Sequence, residues 1–184
     1  GLRADNPAAG LKAPRNRTSR EERIKFLPAG YIARLLATVP GDDAQARRDR
    51  ALLALFALHG PRVAELAALT VAAVDLAGDP PTARITGKGD KARTLYLVPT
   101  ARAALAAWLE ARAQLAQVDP AAVFVTLQAN GAGGAGRRMT ARSIRRRVDV
   151  ALVAAGPKRE GVSCHPLRHS FGTWSAAAGA PGLA

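Results

Sequence analysis

Apolar residues recur at helical spacing through the first third of the chain. One stripe runs from residue 28 to Pro40-Gly41, where proline and glycine end it. Asp42-Asp43 offers an N-cap for a second helix, whose apolar side chains between 52 and 58 surround the helix axis. Because a helix that is apolar all round is typical of a buried element, the second helix is predicted to lie in the core.

The apolar period then changes from that of helices to that of strands. His59-Gly60-Pro61 ends the second helix, and Arg62 to Leu69 predicts a short third one. Residues 83–86 and 94–97 are short β-type runs on either side of Gly87-Lys88-Gly89-Asp90-Lys91. Two such runs around a glycine-containing turn indicate a β-hairpin.

The second half of the chain is again predicted to be helical. Thr100 is predicted to cap a fourth helix through Gln114, Thr140 a fifth through Ala155, and a last helix runs from Ser163 or Cys164 to about Ala178. Residues 123–125 form a short buried segment whose type the pattern leaves open, and residues 128–138 are predicted to be a mobile, glycine-containing loop. Together these elements predict a mostly α fold with one small antiparallel β-sheet, of the α+β class.

Length and composition divide the 184 residues into an arm and one domain. Residues 1–23 combine glycine and proline with scattered arginine, which predicts a basic linker from a longer protein, and residues 24–184 form the domain. Hydrophobic residues make up 48% of the chain and aromatic residues 4%, so Ala, Leu and Val must build the core. The longest apolar run, Ala51 to Leu58, is too short to span a bilayer, and Cys164 is a single cysteine, which excludes an internal disulfide.

The charge of the chain points to an anionic partner. The chain has 27 Lys+Arg against 14 Asp+Glu, a formal net charge of +13 and a pI of about 11.4. Of the basic residues 22 are arginine, the side chain that binds phosphate oxygens bidentately. This favours nucleic acid, with an anionic membrane surface or an acidic protein as the alternatives.

Metal chemistry is disfavoured by the spacing of the candidate ligands. His165 and His169 are four residues apart, but no carboxylate or cysteine other than Cys164 lies at ligand spacing. Residues 131–136 also lack the lysine of a phosphate-binding loop.

Three short segments carry side chains that suit phosphate chemistry. His165 and Arg168 lie three residues apart near a predicted helix start, Arg62 precedes Glu65 by one turn, and Lys88 lies between two glycines at the hairpin tip. Each segment has an ordinary alternative: a helix cap, a surface ion pair or a solvated turn. As a set without metal ligands they favour phosphoryl transfer, in which fixed cations stabilise the phosphate and a donor protonates the leaving oxygen.

Three segments resemble, in order and spacing, the catalytic domain of the tyrosine recombinases, the phage-integrase and Xer family. They are LLALFALHGPRVAELAAL from Leu52, ITGKGDKARTLYLVP from Ile85 and CHPLRHSFGTW from Cys164. The resemblance extends over roughly residues 26–180, and Asn6 to Leu11 resembles the linker from that family's N-terminal core-binding domain. It implies a full-length enzyme that cleaves and rejoins double-stranded DNA through a 3′-phosphotyrosyl intermediate, as a homotetramer on DNA and without a cofactor.

The resemblance also implies a role for each candidate residue. Arg62 and Arg168 would bind the non-bridging oxygens of the scissile phosphate, and His165 would act as a donor or base. Glu65 would support this network, and Lys88 would protonate the leaving 5′-hydroxyl. The helix that follows the glycine-containing loop faces DNA in the family, so DNA contacts are expected from a basic set, with a solvated face as the alternative. The set is Arg137, Arg138, Arg142, Arg145 and Arg146; in addition, Lys91 near the hairpin tip is expected to contact a DNA phosphate or enter a groove as a point charge.

The nucleophile of the family has no counterpart among the residues of the chain. That tyrosine lies beyond the His-x-x-Arg helix, and the chain ends at Ala184 before it, whereas Tyr31 and Tyr96 lie elsewhere and are expected to be packing residues. We therefore expect a truncated fragment that binds DNA without cleaving it and is monomeric off DNA. The resemblance implies a cytoplasmic, nucleoid-associated protein. The alternative is a non-catalytic DNA-binding or regulatory module of the same fold.

Overall fold

Five α-helices and a three-stranded antiparallel sheet form the part of the chain that the structure describes. The structure is a computed structural model, and it describes residues 29–87, 89–128 and 134–156. The elements are α1 (Ala29–Ala37), α2 (Ala44–His59), α3 (Val63–Ala68), β1 (Val74–Asp75), β2 (Thr82–Thr86), β3 (Ala92–Tyr96), α4 (Pro99–Ala113) and α5 (Ala141–Ala154), with one 3-10 turn at Val71–Ala73. The predicted fold class, mostly helical with a small antiparallel sheet, is confirmed.

Helix α2 is the central element, and both of its predicted ends are confirmed. Asp43 is its N-cap, and the carboxylate accepts a hydrogen bond from the Ala46 N–H at 2.7 Å. Gly60 ends it in the left-handed conformation, at φ +56°, which glycine adopts without a Cβ clash. Every residue from Ala51 to Ala57 is buried, as the apolar pattern predicted.

The segment at residues 123–125 is buried without forming a named strand. The indole N–H of Trp108, on α4, donates to the Val123 carbonyl at 2.9 Å, and Phe124 lies in the same hydrophobic cluster as α2. Helix α4 thus connects the centre of the domain to this segment.

The predicted cap of α4 is wrong by two positions. The helix begins at Pro99 with Val98 as its N-cap, and Thr100 lies inside the first turn. Proline has a fixed φ and lacks an N–H, so at the first helical position it starts a helix without a side-chain cap. The fifth predicted helix does begin as expected, because the Thr140 hydroxyl accepts from the Ser143 N–H at 3.1 Å.

The predicted hairpin is confirmed in its position. Strands β2 and β3 pair from Thr82 opposite Tyr96 to Thr86 opposite Ala92, and the turn closes with the Gly87 N–H donating to the Lys91 carbonyl at 2.9 Å. Strand β1, which the sequence did not predict, extends the sheet on the other side of β2.

The two tyrosines differ in their surroundings. Tyr31 is half-buried and its hydroxyl donates to the Leu152 carbonyl at 3.2 Å, as a packing residue does. The same expectation is wrong for Tyr96, which is 65% exposed, because it points to the open face of β3.

Several predictions concern residues outside those that the structure describes. They are the arm at 1–23, the start of the domain at 24–28 and the last helix with Cys164, His165 and Arg168. Lys88 is also outside them. Within the described residues, no helix is long and apolar enough to cross a membrane.

Candidate functional site

Arg62 lies at the junction between α2 and α3. The left-handed Gly60 turns the chain at the end of α2, Pro61 is buried, and Arg62 then serves as the N-cap of α3. The two helices therefore fix the backbone of Arg62. Its side chain is 57% exposed, so part of the guanidinium faces solvent. This combination suits a cation that must be held in place and still reach a ligand.

The buried carboxylate of Glu65 fixes both the backbone and the side chain of Arg62. Glu65 is 2% exposed and occupies the first turn of α3. Its Oε2 accepts the Arg62 backbone N–H at 2.6 Å, and its Oε1 accepts from Arg62 Nη1 at 2.9 Å. The alternative of an exposed, weak ion pair does not describe this contact, because one of the two partners is buried.

Arg93, a residue that the sequence analysis missed, completes the pairing of Glu65. It lies on β3, and its Nη2 donates to Glu65 Oε2 at 2.8 Å. A signal for it exists in the alternation of β3, where Arg93 shares a face with the buried Leu95 and Leu97. An arginine on the core-facing side of a strand needs an acidic partner, and the partner is Glu65.

Hydrogen bonds from Arg62 and Arg93 keep Glu65 ionised. Burial raises the pKa of the Glu65 carboxyl, but the hydrogen bonds from the Arg62 backbone and from the side chains of Arg93 and Arg62 outweigh it. The net effect holds the pKa of Glu65 below its ordinary value. The cluster therefore carries two positive charges against one negative charge, and it can attract an anion.

The root of the hairpin packs directly against this cluster. A Cβ added to Gly87 would lie 3.0 Å from Glu65 Oε1 and 3.5 Å from Arg62 Nη1. A Cβ at this distance would press on the carboxylate oxygen, so glycine lets the backbone after β2 approach the pair without displacing it. The hairpin thus starts its turn next to the pair, and the next residue in the chain is Lys88.

The structure brings together only part of the predicted catalytic set. Arg62 and Glu65 are in contact at the hairpin root, whereas Lys88, His165 and Arg168 fall outside the described residues. Among the described residues, no group of three or more His, Cys, Asp or Glu side chains could hold a metal ion.

The predicted DNA-binding residues fall into two kinds. Arg142, Arg145 and Arg146 are exposed on α5, and Arg137 and Lys91 are exposed as well. Arg138 differs because its Nη1 donates to the Ala67 and Leu69 carbonyls at 3.1 and 3.3 Å and its Nε lies 3.5 Å from Asp119. Its guanidinium ties the loop to α3 and so points into the molecule.

A second buried carboxylate holds α5 against α2. Asp49 Oδ1 accepts from Arg48 Nε and Nη2 at 3.0 and 2.9 Å, and Asp49 Oδ2 accepts from Arg147 Nε at 2.8 Å. Arg48 also donates to the Val125 carbonyl at 3.2 Å. These two arginines and Arg146 line a cavity of about 530 Å³, and since Arg48 and Arg147 are already paired, we assign them a structural role.

Comparisons with known sequences identify one family. The chain matches the phage integrase family over residues 25–182. It is 41% identical over 169 residues to the tyrosine recombinase XerC of Azotobacter vinelandii, covering 90% of this chain and 50% of that protein. It is 37% identical to the tyrosine recombinase XerC 1 of Ralstonia nicotianae, covering 91% and 52%. The chain therefore spans about half the length of these relatives.

Solved structures agree with the sequence matches. The crystal structure of the XerA recombinase superposes with a TM-score of 0.70 at 26% identity, over 84% of this chain and 52% of that one. The site-specific recombinase XerH, bound to its difH substrate in a pre-cleavage complex, superposes with a TM-score of 0.65 at 26% identity, over 83% and 43%.

Proposed function

The chain belongs to the phage integrase family, and on that premise we propose that it forms most of the catalytic domain of a site-specific DNA recombinase. The observation that carries the proposal is the half-exposed Arg62, fixed by the buried Glu65 at the root of the hairpin. The identity of about 40% to tyrosine recombinases over nine-tenths of the chain supports the same activity.

The proposed reaction is transfer of a DNA phosphoryl group to a tyrosine and back. The tyrosine oxygen attacks phosphorus, the bond to the 5′-oxygen breaks, and the 5′-hydroxyl leaves with a proton. The reverse step restores the phosphodiester without an energy source, since the covalent intermediate conserves the bond. No oxidant, reductant or nucleotide enters this balance.

Arg62 would bind the non-bridging oxygens of the scissile phosphate. Its Nη1 is occupied by Glu65, and its exposed side leaves N–H donors for an anion. A cation fixed before the reaction stabilises the growing charge without rearranging, which is the main electrostatic source of catalysis. Three further residues would complete the site. Arg168 would be the second cation, His165 a proton donor or base, and Lys88 the proton donor to the 5′-oxygen.

The exposed cations of α5, with Lys91 on the hairpin, would hold double-stranded DNA. Arg142, Arg145 and Arg146 lie at spacings of three and four on one helix, so they extend from one face. XerH is solved with its substrate bound, and this chain has the same fold. We extend the proposal to a homotetramer on DNA, a monomer for the fragment alone, and a nucleoid-associated location in the cytoplasm.

The test is formation of a covalent protein–DNA complex by the protein made from its complete reading frame. The protein first selects a bound sequence from a randomised duplex pool. A nicked duplex with that sequence then traps the covalent protein–DNA complex. We expect Arg62→Ala to slow trapping by about 10²–10³-fold, the usual loss for one preorganised donor. Arg84→Ala is the control, because Arg84 is an exposed arginine on the same hairpin.

The outcomes separate the two readings of the family resemblance. A wild-type protein that binds the selected duplex and never forms a covalent complex would be a non-catalytic DNA-binding module. A protein that binds no duplex at low salt would contradict both.

A further inference from the structure

We propose that Arg93 is a positioning residue for the proposed reaction, which aligns Arg62 and the hairpin by holding the Glu65 carboxylate between them. The inference rests on the proposed function and adds a residue to it. It begins from the arrangement of charges, in which one buried carboxylate receives hydrogen bonds from two arginines on different elements.

Each carboxylate oxygen has a defined set of partners. Oε1 accepts from Arg62 Nη1, and Oε2 accepts from the Arg62 backbone N–H and from Arg93 Nη2. Without Arg93, Oε2 would keep one donor in a site that is almost closed to water. The carboxylate could then rotate toward solvent and take the Arg62 guanidinium with it.

The same contact joins two elements that are distant in sequence. Arg93 lies on β3, 28 residues beyond Glu65 on α3, and it enters the cluster from the hairpin. Gly87 brings the other strand of the hairpin to within contact of Glu65 and Arg62. Arg93 therefore fixes the distance between the arginine that would bind the phosphate and the hairpin that carries Lys88 and Lys91.

The surroundings of Arg93 favour an indirect role over direct contact with DNA. Its side chain is 27% exposed, against 57% for Arg62, and it shares the core-facing side of β3 with Leu95. An arginine that bound a phosphate directly would present its donors to solvent, as Arg62 does.

The experiment measures single-turnover trapping of the covalent complex and duplex affinity in the full-length protein. We expect Arg93→Gln to slow trapping by about 10- to 100-fold, the range that small misplacements of reacting groups produce. Duplex affinity should change no more than in Arg84→Gln, which removes the same charge from the exposed face of the hairpin. Arg93→Lys should recover part of the rate because it keeps the charge and a donor.

A double-mutant cycle distinguishes positioning from a separate contribution. If Arg93 acts through Glu65, the Arg93→Gln/Glu65→Gln protein traps DNA no more slowly than the slower single variant. Rate losses that multiply would overturn the proposal, as would an affinity loss equal to the rate loss.

The pH profile of the trapping rate adds a further readout, since removing Arg93 removes a cause that lowers the pKa of Glu65. The acid limb of the trapping rate should move to higher pH in Arg93→Gln and not in Arg84→Gln.

Trapping by the wild-type protein and by Arg93→Gln distinguishes a failure of the positioning role from a failure of the proposed function. If the wild-type protein forms no covalent complex, the proposed function falls and the positioning role falls with it. If the wild type cleaves and Arg93→Gln matches Arg84→Gln, only the positioning role falls. Thermal melts show whether Arg93→Gln and Arg93→Lys fold. If Arg93→Gln does not fold, Arg93→Lys replaces it in the double-mutant cycle.

Discussion

At the scale of single residues, the imidazole of His59 makes the fold sensitive to acid. It is buried at the end of α2, and its Nε2 has no hydrogen-bond partner in the described part of the chain. Burial lowers the pKa of His59 to about 4, against 6.5 for an exposed histidine. Between pH 4 and pH 6.5, His59 binds more protons in the unfolded chain than in the folded one. The free energy of unfolding should therefore fall by about 3 kcal/mol as pH drops from 6.5 to 4.

Urea unfolding at several pH values measures this fall, and His59→Leu is the matched variant. Leucine places no titrating group at this buried position, so the leucine variant should lose less stability across the same window. If both proteins lost stability equally, other groups would be responsible for the acid sensitivity.

Gly87 gives a second prediction for a single position. Its Cβ would lie 3.0 Å from a carboxylate oxygen that Arg62 already holds, so Gly87→Ala should displace Glu65 and slow trapping of the covalent complex about tenfold. Gly41→Ala, between α1 and α2, is the control: it meets open space but has a φ of +80°, which costs stability of about 1 kcal/mol. Equal trapping rates in the two folded variants would contradict the close approach at Gly87.

At the scale of elements, the Asp49 carboxylate determines how α5 sits on α2. It is buried between Arg48 and Arg147, so Asp49→Ala would leave the buried Arg48 without its carboxylate. We expect a loss of about 3–5 kcal/mol in the free energy of unfolding, measured by urea titration. Asp42→Ala, which removes an exposed carboxylate paired with two other arginines, should cost much less. Similar losses in the two variants would show that burial of the Asp49 carboxylate does not determine its contribution to the free energy of unfolding.

The elements also show what the sequence could predict. The ends of α2 and the start of α5 follow from local chemistry, because Asp43, Gly60 and Thr140 act within a few residues of themselves. The contacts of Glu65 with Arg93 and of Asp49 with Arg147 join residues 28 and 98 positions apart. No periodicity encodes such pairs. The sequence therefore predicted Arg62 and Glu65 together, whereas the core-facing position of Arg93 on β3 indicates an acidic partner without identifying it.

At the scale of the whole molecule, the net charge of +13 is larger than the charge available to a ligand. Arg48, Arg93, Arg138 and Arg147 bond to carboxylates or carbonyls inside the domain. Their charges stabilise the positions of helices and of the hairpin. Within the described residues, Arg142, Arg145 and Arg146 on α5 and Arg137 just before it are exposed, and under the proposed function these cations contact DNA.

This division predicts the salt dependence of DNA binding in the full-length protein. Each cation that neutralises a phosphate releases counterions, and it adds about 0.9 to the slope of log affinity against log salt concentration. Fluorescence anisotropy with a labelled duplex should show a slope lower by about 0.9 in Arg145→Gln. Arg138→Gln should leave the slope unchanged, because its guanidinium already donates to the Ala67 and Leu69 carbonyls. An equal decrease in both variants would mean that Arg138 turns outward to bind a phosphate, and that the internal contacts yield to DNA.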